Sequence, residues 1–121
     1  MSLHHVSLEV PPDQVGRTIE FWELVGFTHL DAPEEIAPYV SWLERQGHQI
    51  HLIHTEGATA PALGHAAVVV PQHAQTVAAL REAGFEVEDA RELWGEARAF
   101  ALAPGGHRVE LMAAPPPASA P

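Results

Sequence analysis

The sequence predicts an α+β fold built from two tandem copies of one βαβββ module. Three observations predict it. Short alternating apolar stretches bounded by proline and glycine outnumber helical ones. Each half of the chain holds one stretch of helical periodicity. Three blocks also recur in the same order at near-constant spacing: 5–11 over 65–71, Gly26-Phe27 over Gly84-Phe85, and 47–52 over 106–111. Ordered blocks at a fixed offset are the mark of a repeated supersecondary unit.

Taken in order, Leu3 to Val10 alternates and meets Pro11-Pro12, which stops a strand. Asp13 is the expected N-cap of a helix from about Gln14 to Leu24, with Val15, Ile19 and Trp22 at helical spacing and Gly26 in the C′ position. A short strand is expected at 27–30, another at 38–44, and after the turn Gln46-Gly47-His48 a third at 49–54. Residues 55–64 form a small-residue linker. The order then repeats: a strand at 64–71, a helix at 73–83 ended by Gly84, strands at 85–87 and 97–102, a Pro104-Gly105-Gly106 turn and a strand at 108–112. These spans give module one (1–54), module two (65–113) and an Ala/Pro-rich tail at 114–121.

Composition narrows the function. The 121 residues carry a net charge of −10, with six arginines, no lysine, nine histidines and no cysteine. Six scattered arginines do not make a nucleic-acid or anionic-membrane surface. Without cysteine there is no thiolate site or thiol catalysis, and without lysine no Schiff base. No apolar run approaches the ~20 residues of a membrane span, and the N-terminus lacks the basic and apolar regions of a secretory signal. The expected location is cytoplasmic and the expected partner a small-molecule substrate.

Histidine is the residue that both binds metals and titrates near neutrality. The repeat places His5 and His65 at the start of each module's first strand, and His51 and Glu110 at one shared position in each last strand. His, Asp and Glu make up 25 of the 121 residues. Four of them at four nominated positions would arise by chance with a probability on the order of 0.2%. Alternation turns His5, Ser7 and Glu9 to one face and Val6, Leu8 and Val10 to the other, and likewise separates His51 and Glu110 from the aliphatic residues beside them. His4 has the opposite parity and is assigned no chemistry, as are His54, the turn residues His48 and His107, and His29 and His73. A buried Glu110 needs a partner, either a metal or one of Arg98 and Arg108. Trp42, Trp94, Phe100 and Tyr39 are candidates for lining a pocket, though aromatics in a small domain serve the core more often.

With these residues in view, the chain resembles the vicinal oxygen chelate superfamily, which includes glyoxalase I, methylmalonyl-CoA epimerase, extradiol dioxygenases, fosfomycin-resistance transferases and bleomycin-resistance proteins. The resemblance runs from residue 2 to about 113 and rests on HHVSLEV at 4–10, FWELVGF at 21–27, QIHL at 49–52, GHAAVVV at 64–70 and PGGHRVEL at 104–111. It implies an open, cupped eight-stranded mixed sheet with helices on its outer face, a homodimer, and a divalent transition metal (Zn, Ni, Co, Fe or Mn) on His5, His51, His65 and Glu110. By the same resemblance Glu110 is the catalytic base. Two departures are visible: His51 stands where glyoxalase I usually has a carboxylate, and the lysines that fosfomycin-type enzymes place around a phosphonate are missing. The expected activity is that of a metal-dependent enzyme on a small oxygenated substrate, isomerase or lyase first and dioxygenase second. Its rival is non-catalytic sequestration of a small molecule, as in bleomycin-resistance proteins.

Overall fold

The computed structural model describes residues 1–118. The last three residues of the expected tail lie outside the described residues. Each module folds as βαβββ. In the first, β1 (His5–Val10) leads through a single 3-10 turn, Pro12–Gln14, into α1 (Val15–Val25), then β2 (Thr28–Leu30), β3 (Val40–Arg45) and β4 (His48–His54). The second repeats this with β5 (His65–Val69), α2 (His73–Glu82), β6 (Val87–Ala90), β7 (Arg98–Leu102) and β8 (Arg108–Met112).

Asp13 does not cap α1, because Pro11-Pro12 winds it into the 3-10 turn and Gln14 becomes the N-cap, with no side-chain cap bond. Thr18 Oγ1 instead bonds the Gln14 carbonyl at 2.7 Å. Gly26 ends the helix at φ 111°, in the left-handed region that glycine enters without strain, and its N–H and that of Phe27 bond the Glu23 and Trp22 carbonyls. The expected short strand after α2 begins two residues later than its sequence suggests, at Val87, since Phe85 is used to close the helix on the Leu80 carbonyl.

The eight strands form two four-stranded mixed sheets, in the orders β1-β4-β3-β2 and β5-β8-β7-β6. In each, the module's first and last strands run parallel and every other pair is antiparallel. A parallel pair cannot be joined by a tight hairpin; here the intervening helix and two strands make the connection. Alternation then sorts the faces. Leu43, Ile50 and Leu52 are buried with Phe21, Trp22 and Val25 of α1, while Ala99, Ala101, Val109 and Leu111 are buried with Val77 and Leu80 of α2.

The chain divides into two compact units, residues 1–62 with 103–107, and 63–102 with 108 onward. The 103–107 turn thus belongs with the first unit. There the buried His107 donates Nε2–H to the Glu9 carbonyl at 2.7 Å, so this histidine is a structural tie and not a solvent-facing turn residue. Among the described residues, no helix is long and apolar enough to cross a membrane. Leu52 has no solvent exposure in the first core. Leu52→Ala is expected to cost about 2–5 kcal/mol of stability through lost burial and a residual cavity, read from denaturant unfolding.

Candidate metal centre

In the first unit, the parallel register sets Ser7 against His51 and His5 against Gln49, and β3 sets Trp42 against His51 from the other side. Three rings stack on this face. His51 lies 3.9 Å from His5 and 4.6 Å from Trp42, centroid to centroid, with interplanar angles of 14° and 13°. The Glu44 carboxylate accepts from the Gln49 amide nitrogen at 2.9 Å, which turns the Gln49 oxygen toward His51 Nε2 at 2.7 Å. A carboxylate cannot donate, so this chain of bonds puts the proton on Nε2 and leaves a lone pair on His51 Nδ1. Burial, then the charges of His5 and His4, hold the His51 pKa below the usual histidine value. A neutral imidazole is the state a metal requires.

His4 corrects the parity argument. Its Nδ1 lies 2.9 Å from His5 Nδ1, and its ring meets His5 edge-on. Strand β1 begins only at His5, so alternation does not extend to His4. Glu9 shares the face, but its Oε1 accepts from the Thr59 amide at 3.0 Å and faces the Thr59 hydroxyl at 3.4 Å; it ties down the linker. His54 keeps the off-site parity expected of it, bonding Ser41 Oγ at 2.8 Å.

In the second unit, β8 places Glu110 opposite Phe100 on β7 and Ala67 on β5, and only 8% of it is exposed. Both carboxylate oxygens are engaged. Oε2 accepts from Arg98 Nε at 2.9 Å, and Oε1 lies 3.1 Å from His65 Nε2. Of the two arginines that the sequence offered as partners of Glu110, Arg98 is the one that pairs with it. His65 Nδ1 faces the Leu63 carbonyl at 2.9 Å. A carbonyl only accepts, so Nδ1 carries a proton, and the Nε2 of a neutral His65 then presents a lone pair to the lone pairs of Glu110 Oε1. Two acceptors at this distance need a cation between them, either a second proton on His65 or a metal ion. Cis ligands on a metal with bonds of ~2.1 Å stand about 3.0–3.4 Å apart, and the His65–Glu110 spacing falls in that range. Tethering one imidazole nitrogen to a carbonyl so that the other is aimed is also how metal-binding histidines are held.

The residues fit a metal pairwise. Each unit brings together two of the four expected ligands, His5 with His51 and His65 with Glu110. Among the described residues, no group of three or more His, Asp or Glu side chains is placed to hold a metal ion. The sequence did not reveal Gln49 as the partner of His51, although their i, i+2 spacing on one strand face was a usable signal.

The lowered His51 pKa fixes the sign of a pH effect. A group that is harder to protonate in the folded state contributes stability above its unfolded pKa, and that contribution fades as pH falls toward the folded value. In chelator-treated protein the melting temperature is expected to fall between about pH 7.5 and 5.5, with a shallower slope in His51→Gln. Parallel slopes in the two proteins would contradict the assignment.

No family model and no curated protein sequence gives a significant match to the chain. Solved structures do. A glyoxalase family protein from Bacillus anthracis superposes with a TM-score of 0.81 at 23% identity, covering 93% of both chains. A glyoxalase/dioxygenase from Nostoc punctiforme matches with a TM-score of 0.72 at 15% identity, covering 95% of this chain and 92% of its own. The bleomycin resistance determinant of transposon Tn5 matches at 0.60 and 14% identity, covering 88% and 94%. The chain therefore has the tandem βαβββ fold shared by glyoxalase, dioxygenase and bleomycin-resistance proteins, the fold that its resemblance to the vicinal oxygen chelate superfamily implies.

Proposed function

We propose that this chain is a cytoplasmic, metal-dependent enzyme of the glyoxalase/dioxygenase type acting on a small oxygenated substrate, with isomerase or lyase chemistry ahead of dioxygenase chemistry. The observation that carries the reading is the 3.1 Å approach of His65 Nε2 to Glu110 Oε1 with His65 Nδ1 turned to the Leu63 carbonyl, an arrangement that a divalent cation would satisfy. His5 and His51 of the first unit are proposed ligands by the resemblance. When bound, such an ion supplies Lewis acidity toward an oxyanion developing on the substrate. The protein's own part is to prepare the donors. Gln49 and Glu44 hold His51 in one tautomer, and the Leu63 carbonyl orients His65. Arg98 pins Glu110 Oε2, so Oε1, which faces His65 Nε2, is the oxygen that would accept a substrate proton and return it. The resemblance also carries the proposal of a homodimer.

A second reading, a non-catalytic small-molecule binder, is favoured by two features. Both Glu110 oxygens already have protein partners, and Trp42 and Phe100 offer flat rings beside the histidines of each unit. The two readings part on metal content. Untagged protein is expected to hold near one equivalent of one transition metal per chain by mass spectrometry, lost in both His51→Ala and Glu110→Ala. A parent chain that takes up no metal even after reconstitution would overturn the enzyme reading and leave the binder.

A further inference from the structure

We infer that the site-bearing face of the second unit recognises an anionic substrate, a small monocarboxylate, through the guanidinium of Arg108. The inference rests on the function proposed above and names the substrate class for the same site.

Charge accounting on this face is the ground for it. The chain carries six arginines against a net charge of −10, and two of them, Arg98 and Arg108, lie on the face that also holds His65, Phe100 and Glu110. The charge of Arg98 is spent: its Nε bonds Glu110 and its Nη1 the Arg91 carbonyl at 2.7 Å. Arg108 is different. Among the described residues no carboxylate pairs with it, and its guanidinium lies 4.3 Å over the Phe100 ring. Glu88, cross-strand from Phe100 on β6, is exposed on the same face and makes no ion pair with Arg108. A half-buried guanidinium without a counter-charge is costly to keep, and in so acidic a protein nearby carboxylates were available to neutralise it.

Its position says what the charge can do. Arg108 is the cross-strand partner of His65 and stands two residues before Glu110 on one strand face, which is roughly 7 Å along the strand. Stacking on Phe100 holds the planar fork in place while leaving its N–H edges open to the two oxygens of a carboxylate. A substrate anchored there would lay the carbon next to its carboxylate toward Oε1 of Glu110, the oxygen proposed to move a proton. One uncompensated cation suits a monoanion. A phosphate or phosphonate would want a second, and Arg98 is already committed to Glu110.

The test compares each acid with its uncharged isostere on the full chain: lactate against lactamide, and mandelate against mandelamide. Affinities are read by titration calorimetry or NMR shift perturbation, in chelated and in metal-reconstituted protein. The parent is expected to prefer the acid by about tenfold or more, the scale of a lost charge-assisted hydrogen bond. Arg108→Met keeps the stem over Phe100 and should bring the ratio near one. Arg108→Lys keeps the charge without the fork and should fall between, which preserves the test if the methionine variant folds poorly. Arg17→Met, which removes an exposed arginine on α1, should leave the ratio as it is. A parent that binds acid and amide alike, a parent that binds neither, or a ratio unchanged in Arg108→Met overturns the inference. Metal loading is measured on the same samples. Metal uptake without an Arg108-dependent preference therefore defeats the anion inference alone, and the reverse result defeats the metal reading alone.

Discussion

Everything at the candidate site depends on the parallel pairing of each module's first and last strands. That pairing is non-local, closing β1 onto β4 and β5 onto β8 only after a helix and two further strands have been laid down. Its register is what sets His5 near His51 and His65 near Glu110. A slip of one residue in either pair would turn the aliphatic residues of β4 or β8 away from the helix and the ligand candidates into the core. The buried set of Ile50, Leu52, Val109 and Leu111 therefore enforces the positions of His51 and Glu110. Core packing and site geometry are two consequences of one register.

Much of this was legible in the residues. The duplicated blocks marked the module, proline and glycine marked its joints, and β8 runs over the residues expected of it. What escaped the sequence did so for local reasons. Two consecutive prolines imposed a 3-10 turn that displaced the expected cap at Asp13, a choice between two turn geometries that composition does not decide. His4 was placed by strand parity, but parity holds only inside a strand, and β1 starts one residue later. His107 looked like a turn residue and is a buried tie to the Glu9 carbonyl, because the turn that carries it belongs to the first unit.

The partners of the candidate ligands were harder to read than the candidates themselves. The four ligand candidates stand out because metals use a narrow set of side chains. Gln49, Glu44 and Leu63 stand out for nothing, and the last contributes only a backbone oxygen. Yet these fix which imidazole nitrogen bears a proton in His51 and His65, and so which lone pairs exist. Arg98 was one of two arginines able to reach Glu110 by sequence, and only the register decides between them: it pairs Arg98 with Met112, diagonal to Glu110.

Comparing the two modules position by position shows one scaffold carrying two kinds of surroundings. Gln49 and Arg108 are equivalent, each the cross-strand partner of its module's first histidine. Trp42 and Phe100 are equivalent, each opposite the residue in the last strand that is proposed to bind metal. Val40 and Arg98 are equivalent, each paired near the end of that last strand. In the first module these positions hold a neutral amide, an indole and an aliphatic side chain, and the pair they surround is two imidazoles. In the second they hold two guanidiniums around a carboxylate and an imidazole. Around Glu110, Arg98 supplies a counter-charge for the buried carboxylate, and Arg108 is left over. On the proposed reading, the first module would supply donors, and the second a donor, a proton acceptor and the charge of Arg108, so it is on the second that a substrate's own charge would be felt.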